Sequence, residues 1–321
     1  MKPLAAAAVL ALALSTGVSC SGRQPSHTSG GHLVCILDIS EIQNTSDRLY
    51  TGYCYDLMKD YAASRSKTVE IRLAKKSDDL RNCLLRGKAD IVCTPLETSL
   101  MADSLHCSSP VDSLFLCFTG MNDTAESILL ESWILSYNLF PGREQKRNMY
   151  LNPFNPATAG KSFANRDFIC PYDTLLKKAG RQSGFDWRLL AALLFHESRF
   201  HIEAVSPYGA AGLSQMTPAT AAAMGVTDFL DPESNIMGGA MYLREVYGKL
   251  CDDKCDNLLK FTLAAYNSGL GNLARAREGA LSAGLDPNVW DNVRKSNEYS
   301  KTASYVDAVL STYSAYKTIP E

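Results

Sequence analysis

The 321-residue chain has no C-x-x-C pair and no H-E-x-x-H signature, although it holds ten cysteines and five histidines. These absences exclude the usual structural-zinc and metalloprotease patterns. The nearest approach, His196-Glu197-Ser198-Arg199-Phe200-His201, spaces its histidines by five. On a helix, at ~100° per residue, that turns His201 roughly 140° away from His196. No metal site and no cofactor is therefore expected. Excess charge of one sign is also lacking: the formal net charge of −2 carries no nucleic-acid signal. The apolar stretch Leu4 to Leu14 falls short of the ~20 residues needed to span a bilayer as a helix. What remains, with 46% hydrophobic residues, is a soluble globular composition long enough for two domains of ~100–200 residues.

Residues 1–20 read as an export signal, with Lys2 as the positive n-region ahead of the alanine- and leucine-rich core. Val18-Ser19-Cys20 resembles a lipobox, with Gly17 where leucine is most often found. Lipidation of Cys20 would anchor the chain to a membrane, and simple cleavage and secretion is the alternative. Residues 21–32 are polar, rich in Ser and Gly, and read as a flexible tether. Ser21, rather than Asp, after Cys20 favours the outer membrane, so the expected location is the periplasm. Ten cysteines suit an oxidising compartment. Cys251 and Cys255 in CDDKC are spaced to close a small loop, whereas the pairing of Cys35, Cys54, Cys83, Cys93, Cys107 and Cys117 is not legible.

Residues 33–153 alternate strand and helix. Leu33–Leu37, Val69–Leu73 and Ala89–Val92 read as strands; Tyr55–Ser64 and Ser77–Arg86 read as helices. That order predicts a parallel sheet with covering helices. The phrases Thr51-Gly52-Tyr53-Cys54-Tyr55-Asp56-Leu57 and Gly87-Lys88-Ala89-Asp90-Ile91 are similar to the first lobe of periplasmic solute-binding proteins of the amino-acid type. Two departures matter. Leu114–Phe118 is followed almost at once by Ile128–Leu139, which resembles the closing helix, so the second lobe is missing. Met101 or Ala102 also stands where that family places a carboxylate-clamping arginine. The resemblance with these losses implies weak or absent amino-acid binding. Residues 154–171, with Pro156, Gly160 and Pro171, read as a linker.

Residues 172–321 change to helical rhythm, which makes the whole an α+β two-domain chain: an α/β lobe followed by a mainly helical domain. Helices are expected at Tyr172–Ser183, Trp187–Phe200, Pro218–Met224, Asn235–Leu250, Asn257–Tyr266 and Thr302–Lys317. In the second of these, Leu189, Leu190, Leu193, Leu194 and Glu197 fall on one stripe, with Asp186 as N-cap. A carboxylate carried into an apolar seam resists ionisation, so its pKa rises and it can act as a general acid near neutral pH. Gly209, Ala210, Ala211 and Gly212 let backbone pass close to a ligand, and the Ser206 hydroxyl and Gln215 amide supply hydrogen bonds to a polar molecule such as a sugar. A glutamate near a helix end is otherwise usually solvated.

The order E-S-x-F, then S-x-x-G-A-x-G-L-x-Q-M-x-P, then A-A-Y-N-S-G at Ala264 to Gly269 resembles the lytic transglycosylases of the soluble-transglycosylase type, whose catalytic domain is goose-lysozyme-like. Asn235-Ile236 with Gly239, Tyr242 and Leu243 fits the N-I-x-x-G-x-x-Y-L helix of that family, and the reduced lobe in front is most like its membrane-bound F type. The resemblance implies that peptidoglycan glycan strands are the substrate. In such enzymes one glutamate protonates the glycosidic oxygen between N-acetylmuramic acid and N-acetylglucosamine. It then takes the proton from the C6 hydroxyl that attacks C1, leaving a 1,6-anhydromuramyl end. Glu197 matches that residue. Ser206 falls beside the muramyl N-acetyl group, Gln215, Met216, Tyr266 and Asn267 line the groove, and Tyr305 closes it. Lys301 replaces the family's usual glutamate.

A hydrolytic muramidase is the enzyme alternative, and it needs a second carboxylate across the sugar. Glu203, Asp228 and Asp231 are the candidates, each with an ordinary loop or turn role. A wall-binding regulatory lipoprotein is the non-enzymatic alternative. No protein partner is legible.

Overall fold

Leu33, Cys35, Ile36 and Leu37 are buried on both faces of their strand, which makes β1 (His32–Leu37) a central strand rather than an edge. The computed structural model describes residues 31–39, 50–98, 100, 104–155, 167–251, 254–295 and 299–320. The export signal, Cys20, most of the tether, the Met101–Ala102 position and linker residues 156–166 lie outside the described residues.

Along the chain β1 is followed by α1 (Tyr50–Ser64), β2 (Thr68–Leu73), α2 (Leu80–Leu85), β3 (Ile91–Pro95), β4 (Leu105–Cys107), β5 (Phe115–Gly120), α3 (Thr124–Asn138) and α4 (Arg143–Leu151). The five strands form one sheet in the order β2-β1-β3-β5-β4. β1 pairs in parallel with both β2 and β3, but β5 runs antiparallel to β3 and to β4. The sheet is thus mixed, not parallel as the sequence rhythm predicted. Parallel neighbours need a crossover element. Helices α1 and α2 supply one for β1, β2 and β3, whereas among the described residues between β3 and β5 the element is the short β4.

Boundaries differ for local reasons. α2 starts at Leu80 because Asp79 caps it, accepting from the Asn82 N–H. α1 begins five residues earlier than read, at Tyr50, because its first turns are buried. Helix α4 occupies the stretch just before the expected linker.

The helical half comprises α5 (Asp173–Ser183), α6 (Trp187–Ser198), α7 (Pro218–Ala223), α8 (Pro232–Leu250), α9 (Leu258–Ser268), α10 (Leu270–Ser282), α11 (Trp290–Val293) and α12 (Ser300–Tyr316). α6 packs between α5 and α12, α8 packs on α5 and α9, and α12 also reaches α9. One apolar core continues from the α1 side of the sheet through Tyr150, Phe154, Ile169 and Tyr172 into α6. Phe154 packs against Tyr316 with the rings tilted by 45° and centroids 5.0 Å apart, and the Tyr316 hydroxyl donates to the Phe154 carbonyl at 2.7 Å. Gly52 of α1 lies against Tyr172, whose hydroxyl would sit 2.8 Å from an added Cβ. Among the described residues no helix is long and apolar enough to cross a membrane.

Candidate active site

Helix α6 exists where the sequence placed it because its apolar residues face inward and both ends are closed. Asp186 accepts from the Arg188 N–H at 2.9 Å and from the Tyr313 hydroxyl at 2.9 Å. At the other end Arg199 adopts the left-handed conformation (φ 54°) and returns its N–H to the Phe195 carbonyl. Phe200 continues left-handed at φ 66°, buried. Two successive non-glycine residues in this region store strain, and Gln215 at φ 46° adds a third nearby in the following loop. Their effect is to turn the chain sharply after Glu197, so the carboxyl sits at the end of a rigid helix.

Glu197 is partly buried, and burial pushes its carboxyl from 4.5 up to about 7, with the Tyr305 hydroxyl opposing the shift. The Tyr305 hydroxyl of α12 donates to Oε1 of Glu197 at 2.5 Å. That bond fixes the carboxyl and leaves Oε2 as the oxygen able to carry and release a proton. Tyr305 itself is driven well above the usual phenol range by burial and by the Glu197 charge, so it stays a donor. The sequence assigned Tyr305 to closing the groove. The geometry puts it on the acid, a contact across 108 residues of chain.

The loop after α6 folds back in two small bridges, Val205 with Ala211 and Ala211 with Met216. Ser206 holds a tight turn: its Oγ accepts from the Ala210 N–H at 3.0 Å and its N–H donates to the Ala210 carbonyl at 2.8 Å. The hydroxyl proton stays available to a ligand. Gln215 donates its amide hydrogens to the carbonyls of Ala204 and Gly212, both at 2.9 Å, which leaves its side-chain oxygen free to accept.

The expectation for Met216 needs correction. It is 2% exposed and packs with Ala221 and Val226 under the loop, against Gly238 of α8, so it supports the groove rather than lining it. Tyr266 is partly buried, and its hydroxyl donates to the Ser214 carbonyl at 3.0 Å. Burial and then the nearby Glu197 charge push its hydroxyl well above the usual phenol range, so it stays un-ionised. Asn267, next to it at the end of α9, is exposed.

A residue whose role the sequence did not reveal is Asn235. Fully buried on α8, it accepts from the Ser214 N–H at 2.8 Å and donates to the Phe229 carbonyl at 3.2 Å. Gly212, at φ 76°, passes so close to it that an added Cβ would lie 2.0 Å from the Asn235 amide nitrogen. The available signal was its place at the head of the N-I-x-x-G-x-x-Y-L pattern, which marks the position but not its bonds.

The other carboxylates are engaged elsewhere. Asp231 caps α8 through the Ser234 N–H and pairs with Lys59 of α1 at 2.8 Å. Asp228 accepts from the Leu230 N–H, and Glu203 faces His201 at 3.3 Å. His196 bonds Thr312 of α12 at 2.8 Å, and burial and Arg199 lower its pKa. Its partner thus differs from that of His201.

Residues 174–284 match the family model described as Transglycosylase SLT domain. The chain is 44% identical over 125 residues to the membrane-bound lytic murein transglycosylase F of Marinobacter nauticus, covering 39% of this chain and 25% of that protein. It is 36% identical over 171 residues to the protein of the same name from Alcanivorax borkumensis, covering 52% and 35%. A solved structure, the 70 kDa soluble lytic transglycosylase from Escherichia coli, aligns with a TM-score of 0.41 and 24% identity over 61% of this chain and 34% of that one. The chain spans a quarter to about a third of the length of these curated relatives. The three sequence blocks fall inside the matched segment: residues 174–284, which include Glu197, Ser206, Gln215 and Tyr266, match the transglycosylase SLT domain. Tyr305 lies outside the matched segment.

Proposed function

We propose that a chain whose helical half carries an SLT domain is a peptidoglycan lytic transglycosylase, with Glu197 as its one acid and base. The observation that carries this reading is a carboxyl held protonated to about pH 7 by its apolar seam and fixed by the Tyr305 hydroxyl. At neutral pH a large fraction of Glu197 is the acid. It donates from Oε2 to the oxygen linking N-acetylmuramic acid to N-acetylglucosamine, and the C1–O bond breaks as positive charge grows on the muramyl ring. The carboxylate so formed, still bonded to Tyr305, removes the proton from the C6 hydroxyl as that oxygen closes on C1. The glutamate ends protonated, the sugar ends as a 1,6-anhydro ring, and no water is consumed. A pKa near the working pH suits a group that must serve in both directions.

Substrate contacts follow from what each side chain has left to offer. The Ser206 hydroxyl donates to a sugar acetamido carbonyl, the Gln215 side-chain oxygen accepts from an amide or hydroxyl, and Asn267 presents its amide at the rim. In this reading the α/β lobe is a reduced solute-binding-type domain without its own amino-acid site. The domains run 33–153 and 172–321, joined by 154–171, and the chain acts in the periplasm, tethered by lipid at Cys20, on the outer membrane. The names of the curated relatives, which describe them as membrane-bound, support the tether.

Mass analysis of muropeptides released from purified sacculi tests the reaction. Lytic cleavage gives products ~18 Da lighter than hydrolysis does, because the internal hydroxyl replaces water as nucleophile. Anhydro products from the wild type, with release lost in Glu197→Gln, are expected. Water-added products indicate a muramidase, and binding without release in both proteins indicates a wall-binding lipoprotein.

A further inference from the structure

Four cysteines, Cys35 of β1, Cys54 of α1, Cys93 of β3 and Cys117 of β5, are buried together in the core on the α1 side of the sheet. Cys93 and Cys117 stand directly opposite one another in the antiparallel β3–β5 pair. The Cys93 carbonyl accepts from the Asp38 N–H at 2.8 Å, towards β1. The Cys117 carbonyl accepts from the Ser108 N–H at 2.9 Å, and the Cys117 N–H donates to Ser108 Oγ at 3.0 Å, towards β4. In a strand the N–H and C=O of one residue point the same way, so neither cysteine bonds its main chain to the other. They form a non-hydrogen-bonded pair, the class whose Cα atoms approach to about 4.5 Å. That spacing lies inside the range of about 4.4–6.8 Å over which disulfides close. The two sulfurs are already 3.4 Å apart.

We propose that Cys93 and Cys117 form a structural cross-strand disulfide when the chain folds in the presence of a disulfide-bearing oxidant. One thiolate attacks the oxidant's S–S bond to give a mixed disulfide, and the second thiolate displaces the oxidant's remaining sulfur. One S–S bond breaks and one forms. The two electrons and two protons given up by the cysteines leave on the oxidant as two thiols. Cys54 lies within hydrogen-bonding reach of Cys93 and is the competing partner. Sheet register, however, holds only Cys117 face to face with Cys93. All four thiols are pushed up, Cys117 by its contact with Cys93 and then burial, Cys93, against a lowering contact with Cys117, by Cys54 and burial, and Cys35 and Cys54 chiefly by burial, so little thiolate exists once the lobe has closed. The bond therefore forms before α1 seals the sheet, and afterwards it is shielded from reductants.

The test refolds the reduced, unfolded full chain in a glutathione redox buffer, quenches it with an alkylating agent and maps the unreduced folded fraction by mass spectrometry. Chain exported to a bacterial periplasm and alkylated before lysis is a second sample. A linked Cys93–Cys117 peptide pair is expected in the wild type and in Cys54→Ala, and it disappears in Cys117→Ala. In the wild type it survives dithiothreitol until denaturant is added, and the reduced chain melts lower by about 10 °C. Folded wild-type chain in which both thiols are alkylated, or in which Cys93 is joined to Cys54, overturns the proposal. Should Cys54→Ala fail to fold, the wild-type map alone decides.

Discussion

At Glu197, stability opposes the proposed acid role, because the raised carboxyl pKa costs folding energy at neutral pH. The folded chain holds this proton up to about 7, whereas an unfolded glutamate releases it near 4.5. Between those values the folded state binds more protons than the unfolded one, so stability falls as pH rises through the window. Glu197→Gln removes that penalty. It should melt with the wild type at pH 4 and above it at pH 8, by a margin on the order of 3 kcal/mol, in parallel thermal scans. Equal melting at both pH values would place the carboxyl in water. Tyr305 acts in the other direction, because its donated hydrogen bond favours the charged form. Tyr305→Phe should move the alkaline limb of the pH–rate profile for muropeptide release to higher pH. It should also lower the maximum rate, since Oε1 loses its anchor. A lower rate with an unmoved limb would make Tyr305 a packing residue only.

At the scale of elements, α8 is the bench on which the loop carrying Ser206 and Gln215 rests. Gly239 admits the Ser214 hydroxyl so closely that an added Cβ would lie 2.3 Å from it. Asn235 ties the same loop to the helix. Asn235→Ala leaves the buried Ser214 N–H and the part-buried Phe229 carbonyl without this partner, and it should cost about 1–3 kcal/mol by denaturant melts. Muropeptide release should weaken mainly through KM, because the loop shifts while Glu197 does not. An effect confined to stability would detach the loop from binding. Much of α6 was legible: its apolar stripe, its Asp186 cap and its stop at Arg199–Phe200 all follow from local pattern. The role of Asn235 was not, because its partner stands 21 residues away and is a backbone group that leaves no mark in sequence. The direction of β5 was hidden for a related reason: strand propensity gives an element its type, while connection length gives its direction. Met216 carried apolar character that suits a groove or a core equally, and only packing against Gly238 decided between them.

Across the whole molecule, the α/β lobe reads as a scaffold whose own ligand chemistry is satisfied internally. Asp112 of this lobe is 4% exposed and is paired with Arg143 at 2.9 Å and Arg147 at 3.2 Å. It also receives the Tyr53 hydroxyl at 2.9 Å. Two guanidinium groups that would otherwise suit a carboxylate ligand are thereby occupied by the chain's own carboxylate. Calorimetry on the full chain with free amino acids or a short wall peptide should give no micromolar heat, and a saturable micromolar isotherm would overturn that. The sequence rhythm placed the change to helices near residue 172, whereas the last strand among the described residues ends at Gly120 and α3 and α4 follow it; the contact between the halves was not legible. It depends on Gly52 making room for Tyr172 and on Lys59 reaching Asp231, pairings set by tertiary packing.

The proposed reaction rests on one carboxyl that keeps its proton to neutral pH, and the most direct measurement is its titration. NMR of the side-chain carboxyl carbon of Glu197 in the full chain, assigned against Glu197→Gln, should show a midpoint near 7. A midpoint near 4.5, the value of an ordinary solvated glutamate, would contradict it.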